Sequence, residues 1–505
     1  MSLNLYESLK KSAEKFPNHN AITFKNKDVT YSELLSQVEN FASILIQDGI
    51  KKGDRVALIL GNCPEFVTAY YGILRAGGVV VPVNPIFTKD EISFILSNSQ
   101  AKAVIADSTM DTIIDSLKLE LKQIEMLYYV ESNKAELSWV QLLDKKSNDN
   151  EFPLIIEEDL AVILYTSGTT GKPKGAMLSH RNLISNAQSI VELVEFNKND
   201  RILAVLPMFH VFCLSICVNT SIMCGANIVI VPRFSPSEVI NTIFNEQVTL
   251  FAGVPTMYNF LLQLEEYSAE YFASIRACFS GGASMPVELL QRFEEKYKTI
   301  ILEGFGLSET APVTAFNPLK GEKKQGSVGI NIPGVINKVV DKNGFEVPRG
   351  EIGELIVKGP NVMIGYLGMA EETAKVIKND WFYTGDLAKM DEDGYIYIVD
   401  RIKDMIIVGG YNVYPREVEE VIYQHPAIVE AAVIGIPDKD YGQIVKAFVV
   451  SNEEFITNDD ILHFCKYKLA KYKLPKQIEF MNELPKNSTG KILKRALIVE
   501  QMEVN

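Results

Sequence analysis

Nine short apolar runs recur along the first part of the chain, each closed by Gly, Pro, Asn or Asp: RVALILGN near residue 55, GGVVVPVN near 77, KAVIAD near 102, AVILYTSG at 161, then RILAVLP, ANIVIVP, VTLFAGVP, IRACFSGG and TIILEGFG. Runs this short, rich in Val and Ile and bounded by turn formers, read as strands buried on both faces. The stretches between them are long enough for crossover helices. An α/β fold with mostly parallel sheets follows. Ligand groups are then expected on the loops just past the strand ends.

After about residue 335 the pattern changes. NKVVDKNGFEVPRGEIGELIVKGPNVMIGYL and GYIYIVDRIKDMIIVGG hold shorter alternating segments joined at NG, RG and DG, which predicts an antiparallel or barrel-like sheet. From about 405 a compact unit begins. YPREVEEVIYQH reads as a helix opened by Pro, AAVIGIP and KAFVV read as strands, and Thr457 with Asp460 forms a capping signal for a helix that ends before Pro475. A chain of 505 residues exceeds what one core supports, so at least two domains are expected, with the cut near residue 400. The polar stretch DKKSNDNEFPLIIEED before AVILYTSG reads as an exposed connection.

Composition narrows the function classes. The net charge of −14 points away from nucleic acid, whose phosphates call for basic residues. The opening MSLNLYESLKKSAEKFP has the mixture of a helix and lacks the apolar core and cleavage site of a signal peptide. No window supplies roughly 18 uncharged apolar residues, so no transmembrane segment is expected and a cytoplasmic protein is, with peripheral membrane contact left open. Six Cys are too few for a disulfide scaffold. Cys213, Cys217 and Cys224 lie in an apolar segment without paired metal-ligand spacing, and read as small core residues.

Three loops carry the chemistry. YTSGTTGKPKG, residues 165–175, follows a predicted strand and offers hydroxyls, Gly and two Lys, the groups phosphate oxygens need. It is not a Walker A loop, because Lys172 is followed by Pro173. On local grounds it is either a phosphate cradle or a solvent-exposed Gly-rich turn. SGGASMP follows the strand RACF, and EGFGLSET follows TIIL. Both place Gly where the backbone approaches a ligand or turns sharply. Phe305 offers a flat face, and Glu309 is either a magnesium ligand or a cap or surface acid. Asp386, beside Thr384 and Gly385, predicts a tight turn, with Asp391 to Asp393 a hairpin tip beyond it. Lys491 in LPKNSTGKILKR reads locally as a surface lysine, unless a mobile unit carries it to the phosphates.

Taken together, YTSGTTGKPKGAMLSH, GGASMP, EGFGLSET, YTGDLAKMDEDGYIYIVDRIKDMIIVGGYNVYPREVEE and PKNSTGKI resemble, in order and over essentially the whole chain, the adenylate-forming superfamily of acyl-CoA synthetases, luciferases and adenylation domains, most closely the bacterial long-chain fatty acid:CoA ligases. The resemblance implies a large N-terminal domain (1–400) of two α/β subdomains and a distorted β-barrel-like one, a hinge at 401–404, and a small mobile α+β domain (405–505) bearing the catalytic lysine. It implies ATP, Mg²⁺ and CoA. Thr166, Ser167, Gly168, Thr169, Thr170 and Lys174 would cover the ATP phosphates. Gly281, Gly282 and Ala283 would line the adenine, with Gly304, Phe305 and Gly306 beside it. Phe305 stands where the superfamily most often has Tyr, and Ser308 where it has Thr. Thr170 and Glu309 would hold magnesium. Asp386 and Arg401 would bind the ribose, Lys403 would be the hinge, and Lys491 would bridge the attacking carboxylate and the α-phosphate. Gly409, Gly410 and Tyr411 would line the way in for CoA.

By the same resemblance the acyl pocket lies among His210, Val211, Val254, Pro255, Gly282, Gly306 and Pro312. His210 would stand at its carboxylate end, or be a satisfied structural histidine. These apolar stretches carry no cation for a second carboxylate, which disfavours dicarboxylates and favours a medium- or long-chain fatty acid. An aryl:CoA ligase and an adenylation enzyme serving a carrier protein remain as alternatives. Light emission is disfavoured, since Ile407 replaces a lysine and no SKL address ends the chain. A non-catalytic nucleotide-binding protein would have no need of Lys491. Monomer and homodimer both stay open.

Overall fold

The computed structural model describes residues 4–130, 139–143, 151–166, 173–453, 455–487 and 490–503. Two large sheets form the α/β part. In the first, nine strands run in the order Ile330–Asn331, Val313–Phe316, Ile301–Gly306, Ala277–Ser280, Leu250–Gly253, Arg201–Ala204, Asn227–Ile230, Asn20–Phe24 and Lys27–Thr30. The inner strands are parallel and the edges antiparallel. The second sheet orders seven strands as Gly365–Tyr366, Lys174–Ser179, Leu160–Thr166, Val79–Pro82, Arg55–Ile59, Ala101–Asp107 and Met126–Val130. It too has a parallel centre, with a hairpin at one side.

Alternation explains why the central strands are apolar along most of their length. Val56, Leu58 and Val80 enter the main core, while their neighbours Ala57, Ile59, Val79 and Val81 enter a second cluster on the opposite face. With side chains pointing alternately and both faces covered, polar residues such as Arg55 and Asp107 are left to the strand ends. Helix starts follow their caps: Thr30 with Glu33, Thr88 with Glu91, Ser179 with Asn182 and Thr457 with Asp460 each bond reciprocally.

The predicted change of sheet type is present. Ile336–Val340, Gly353–Lys358, Trp381–Met390 and Ile396–Arg401 form an antiparallel, curled sheet, around its own core of Val328, Val339, Leu355, Ala388 and Ile396. Gly344, Gly350 and Gly394, the glycines of NG, RG and DG, all adopt positive φ. A smaller α+β unit follows. Its antiparallel pair Ile428–Asp438 and Gly442–Ser451 is flanked by the hairpin Ile406–Val408 and Tyr411–Val413 and by the helices Pro415–Tyr423 and Asn458–Lys466. Ile406, Val418, Ile422, Val433 and Val449 pack in a core that shares no residue with those of the large unit.

Two local expectations are corrected. EGFG is not a loop: the strand Ile301–Gly306 runs through it and pairs antiparallel with Val313–Phe316. Asp386 lies inside the strand Trp381–Met390, not in a tight turn. Gly385, at φ +73°, kinks that strand without ending it. As expected, the helix opened by Thr457 ends before Pro475: it stops at Lys466, and a single turn Lys471–Lys473 follows. Of the stretch read as an exposed connection, residues 144–150 lie outside the described residues, and Leu154 within the remainder is exposed.

Candidate active site

Three parallel neighbours, Leu250–Gly253, Ala277–Ser280 and Ile301–Gly306, deliver their C-terminal ends to one place. Val254 and Pro255 follow the first, Gly281 to Ala283 the second, and Leu307 to Glu309 the third. Gly282, at φ +78°, lies against Val254: a β-carbon there would stand 3.5 Å from Val254 Cγ1. A β-carbon on Gly281 would meet the Phe212 ring at 3.3 Å. Gly304 and Gly306 have a different reason to be glycine. A β-carbon would collide with the Phe316 ring at the first and with the Pro312 carbonyl at the second. Strand-to-strand approach therefore dictates both, where the sequence had suggested room for a ligand. Phe305, half-buried between them, packs against the core of the curled sheet. Val211, Pro255 and Pro312 are buried beside these ends.

Asp386 and Arg401 face each other across two antiparallel strands of that sheet. Arg401 Nε stands 3.2 Å from Asp386 Oδ1. The second oxygen, Oδ2, is buried with no hydrogen-bond partner among the described residues. Burial pushes the Asp386 carboxyl above its usual range, against the pull of Arg401 and Lys491. A buried acceptor left unsatisfied costs about 1–3 kcal/mol, so the site calls for a donor such as a ligand hydroxyl.

Lys491 reaches the same place from the small unit. Its loop is tied by Asn487, whose N–H donates to the Lys491 carbonyl at 2.9 Å and whose Oδ1 accepts from the Lys491 N–H at 2.9 Å. From the large unit, the Thr256 hydroxyl donates to the Gly490 carbonyl at 2.9 Å. The local expectation of a surface lysine is overturned. Burial, with help from the Arg401 guanidinium, pushes the Lys491 ammonium down to about 8, while Asp386 and Asp404 oppose the shift. Burial and the nearness of Lys491 push the His210 imidazole down to about 4, so it is neutral. Its Nδ1 accepts from the Phe212 N–H at 3.3 Å. The ring proton therefore sits on Nε2, a donor available to a carbonyl or carboxylate oxygen.

Glu309 lies in the single turn Ser308–Thr310, with Ser308 half-buried beside it. Its carbonyl accepts from the Met363 N–H at 2.8 Å, and its carboxylate Oε1 from the Tyr366 hydroxyl at 2.8 Å. Lys174 lies 5.2 Å above the Tyr366 ring and pairs with Glu372 at 2.7 Å. Thr166 ends one strand of the hairpin opposite Lys174. Ser167, Gly168, Thr169 and Thr170, which the sequence placed over the phosphates, lie outside the described residues. A carboxylate oriented by a hydroxyl is the hard oxygen donor that Mg²⁺ prefers, so Glu309 fits a magnesium ligand.

The AMP-binding enzyme family pattern matches residues 9–367, and the AMP-binding enzyme C-terminal domain pattern matches residues 417–491. The chain belongs to the AMP-binding enzymes. Among them it is 39% identical to the long-chain-fatty-acid–CoA ligase of Bacillus subtilis, over 99% of this chain and 95% of that one. It is 34% identical to a feruloyl-CoA synthase of Amycolatopsis sp, over 95% of each. ATP-bound MatB from Rhodopseudomonas palustris superposes with a TM-score of 0.94 at 34% identity, covering all of both chains, whereas apo MatB gives 0.84. This AMP-binding enzyme is an AMP-forming acid–thiol ligase. ATP first turns the acid into its acyl-adenylate, and a thiol then takes the acyl group as a thioester.

The structure thus gathers Lys491, His210, Asp386, Arg401, Val254 and the Gly281–Gly282 turn at one seam between the two units. It does not bring Gly409, Gly410 and Tyr411 there: they form the exposed tip of the hairpin Ile406–Val408 and Tyr411–Val413. Lys403 is exposed in the single turn Ile402–Asp404. Tyr366, Glu372 and Thr256 were missed by sequence reasoning. Tyr366 had a faint signal, a Gly-Tyr pair closing the apolar run VMIGYL, whereas Thr256 lay in the segment placed at the acyl pocket with nothing to mark it as a partner of the Lys491 loop.

Proposed function

We propose that this chain is a fatty acid:CoA ligase acting on medium- or long-chain acids, with Mg²⁺ accompanying ATP and CoA as the thiol, and that it works in the cytoplasm. The observation that carries this reading is the placement of Lys491, whose ammonium shares its surroundings with Asp386, Arg401 and His210. The acid's carboxylate attacks the α-phosphorus and pyrophosphate leaves with the bonding electrons. Lys491 stabilises the charge that gathers on the attacking and phosphate oxygens. Asp386 Oδ2 and Arg401 hold the ribose hydroxyls, Phe305 stacks on the base, and Gly281, Gly282 and Ala283 line it. The loop from Thr166 to Thr170, with Lys174 and Ser308, covers the phosphates. Glu309, with Thr170, would hold Mg²⁺, which when bound supplies positive charge to the phosphate oxygens. His210 donates from Nε2 at the carboxylate end of a pocket lined by Val211, Val254, Pro255, Gly282, Gly306 and Pro312.

The second step uses another pose. Residues 405–505 turn as a body about 401–404, centred on Lys403, withdrawing Lys491 and bringing Gly409, Gly410 and Tyr411 to the acyl-adenylate. The CoA thiol then attacks the acyl carbon and AMP departs. An apolar acid fits a pocket whose named residues other than His210 are apolar or glycine. An aryl acid is the second reading, favoured by the likeness to a feruloyl-CoA synthase. No helix among the described residues is long and apolar enough to cross a membrane.

ATP-dependent AMP release with CoA, measured across fatty acids from butyrate to stearate and across cinnamates and benzoates, tests the reading. A maximum among the medium or long aliphatic acids is expected. A preference for the aromatic acids would overturn it in favour of the second reading.

A further inference from the structure

The helix Pro255–Leu262 starts at the proposed acyl pocket and touches the small unit along one face. Thr256 and Asn259 are three residues apart and so lie on the same side of it. The Thr256 hydroxyl donates to the Gly490 carbonyl at 2.9 Å, and the Asn259 side-chain amide donates to the Val429 carbonyl at 3.1 Å. Next in line, the Phe260 ring lies 5.8 Å from the Lys486 ammonium. All three contacts cross from the large unit to the small one.

Their effect follows from how the Lys491 loop is built. Its base is fixed to the small unit by the pair Lys486–Glu430 at 2.9 Å, with side chains only 11% and 8% exposed. Its tip is closed on itself by Asn487. What sets the tip against the large unit is the Thr256 hydroxyl on the carbonyl of the residue that precedes Lys491. Gly490 adopts φ +84°, and a β-carbon there would stand 3.2 Å from Val254 Cγ2, so the backbone itself lies close against the pocket wall. A lysine side chain is long and rotationally free, and fixing the backbone at its root confines the ammonium.

We propose that Thr256, assisted by Asn259, is a positioning residue that seats the Lys491 loop for the adenylate-forming step. The inference rests on the reading of Lys491 as the lysine of that step. Once the small unit turns, the Gly490 carbonyl leaves and Thr256 has no part in thioester formation.

Thr256→Val keeps the shape and removes the donor. Acid-dependent exchange of pyrophosphate into ATP reads the first step, and conversion of synthetic acyl-adenylate and CoA to thioester reads the second. Thr256→Val is expected to slow the first about five- to tenfold, the scale of one lost hydrogen bond, and to leave the second within about twofold. Thr256→Ser is expected to restore the exchange. Asn259→Ala, a second variant at the same seam, is expected to show a smaller loss of the same selectivity. Equal loss in both steps, or none in either, would overturn the proposal. Lys491→Ala run in parallel separates the two ideas. Selective loss there with normal Thr256 and Asn259 variants sinks the seat alone, and no selective loss at Lys491 sinks the reading beneath it.

Discussion

A lysine pushed down to about 8 is still charged near neutrality, but its charge is no longer unconditional. On the proposed assignment adenylate formation needs the ammonium, so kcat/KM of that step is expected to fall as pH rises through about 8, a limb that pH–rate measurements on the free enzyme report. The sign follows from the depressed pKa: protonated and competent below it, neutral above. Removing the charge in Lys491→Ala is expected to slow the first half-reaction by about 10²- to 10³-fold, the range seen when one electrostatic stabiliser is lost. Thioester formation from supplied acyl-adenylate is expected to be nearly unchanged. Rapid-quench assays of the two halves check this, and a matching loss in both would remove Lys491 from its assigned step. Local sequence could not reveal this residue's state, because a Gly-Lys pair in a polar loop is ordinarily a solvated one. The burial comes from the seam, where the neighbouring Gly490 meets Thr256 and Val254 and the ammonium faces Asp386 and Arg401 of the curled sheet, all far away in sequence.

At the level of elements, the glycines of EGFG separate packing from chemistry. Gly304→Ala would drive a β-carbon into the Phe316 ring, and overpacking of this kind typically costs about 1–3 kcal/mol. A lowered melting temperature with both half-reactions impaired together is expected. Selective loss of ATP binding at unchanged stability would return Gly304 to the ligand. A second test lies at the start of the helix His180–Val194. His180 is buried, and its Nδ1 accepts from the Leu5 N–H at 3.3 Å. Burial pushes its imidazole down to about 4, so the fold holds it neutral while the unfolded chain would protonate it near its ordinary value. The unfolded state therefore binds more protons, and stability is lost as pH falls from about 6.5 towards 4. His180→Asn, whose Oδ1 can accept in place of Nδ1, is expected to lose less melting temperature over that span. An unchanged slope would show that other groups govern it. The strands and caps were legible because alternation and capping are local. The continuation of Ile301–Gly306 through two glycines was not, since its antiparallel partner is set by the turn at Leu307 to Pro312.

For the molecule as a whole, the order of motifs fixed the family, and the small unit has a core separate from that of the large one. The relative placement of those units was beyond sequence, because the two cores share no residue and polar contacts join the units across the seam. Lys403→Pro restricts the backbone where the turn is proposed. Acyl-adenylate formation is expected to persist in that variant while thioester formation falls, read by trapping the adenylate and by following CoA consumption. Normal acyl transfer would argue against rotation at this residue.

Lys491 and the Gly409–Tyr411 tip ride on the same small body and lie at different places on it, one inside the seam and the other in solvent. Under the proposed rotation only one of them can occupy the site at a time. The order of events is then written into the shape of the protein: a thiol present at any concentration gains nothing until the lysine has withdrawn. A reactive anhydride can form and wait in a closed seam, and the same movement that ends its formation opens the way to its consumption.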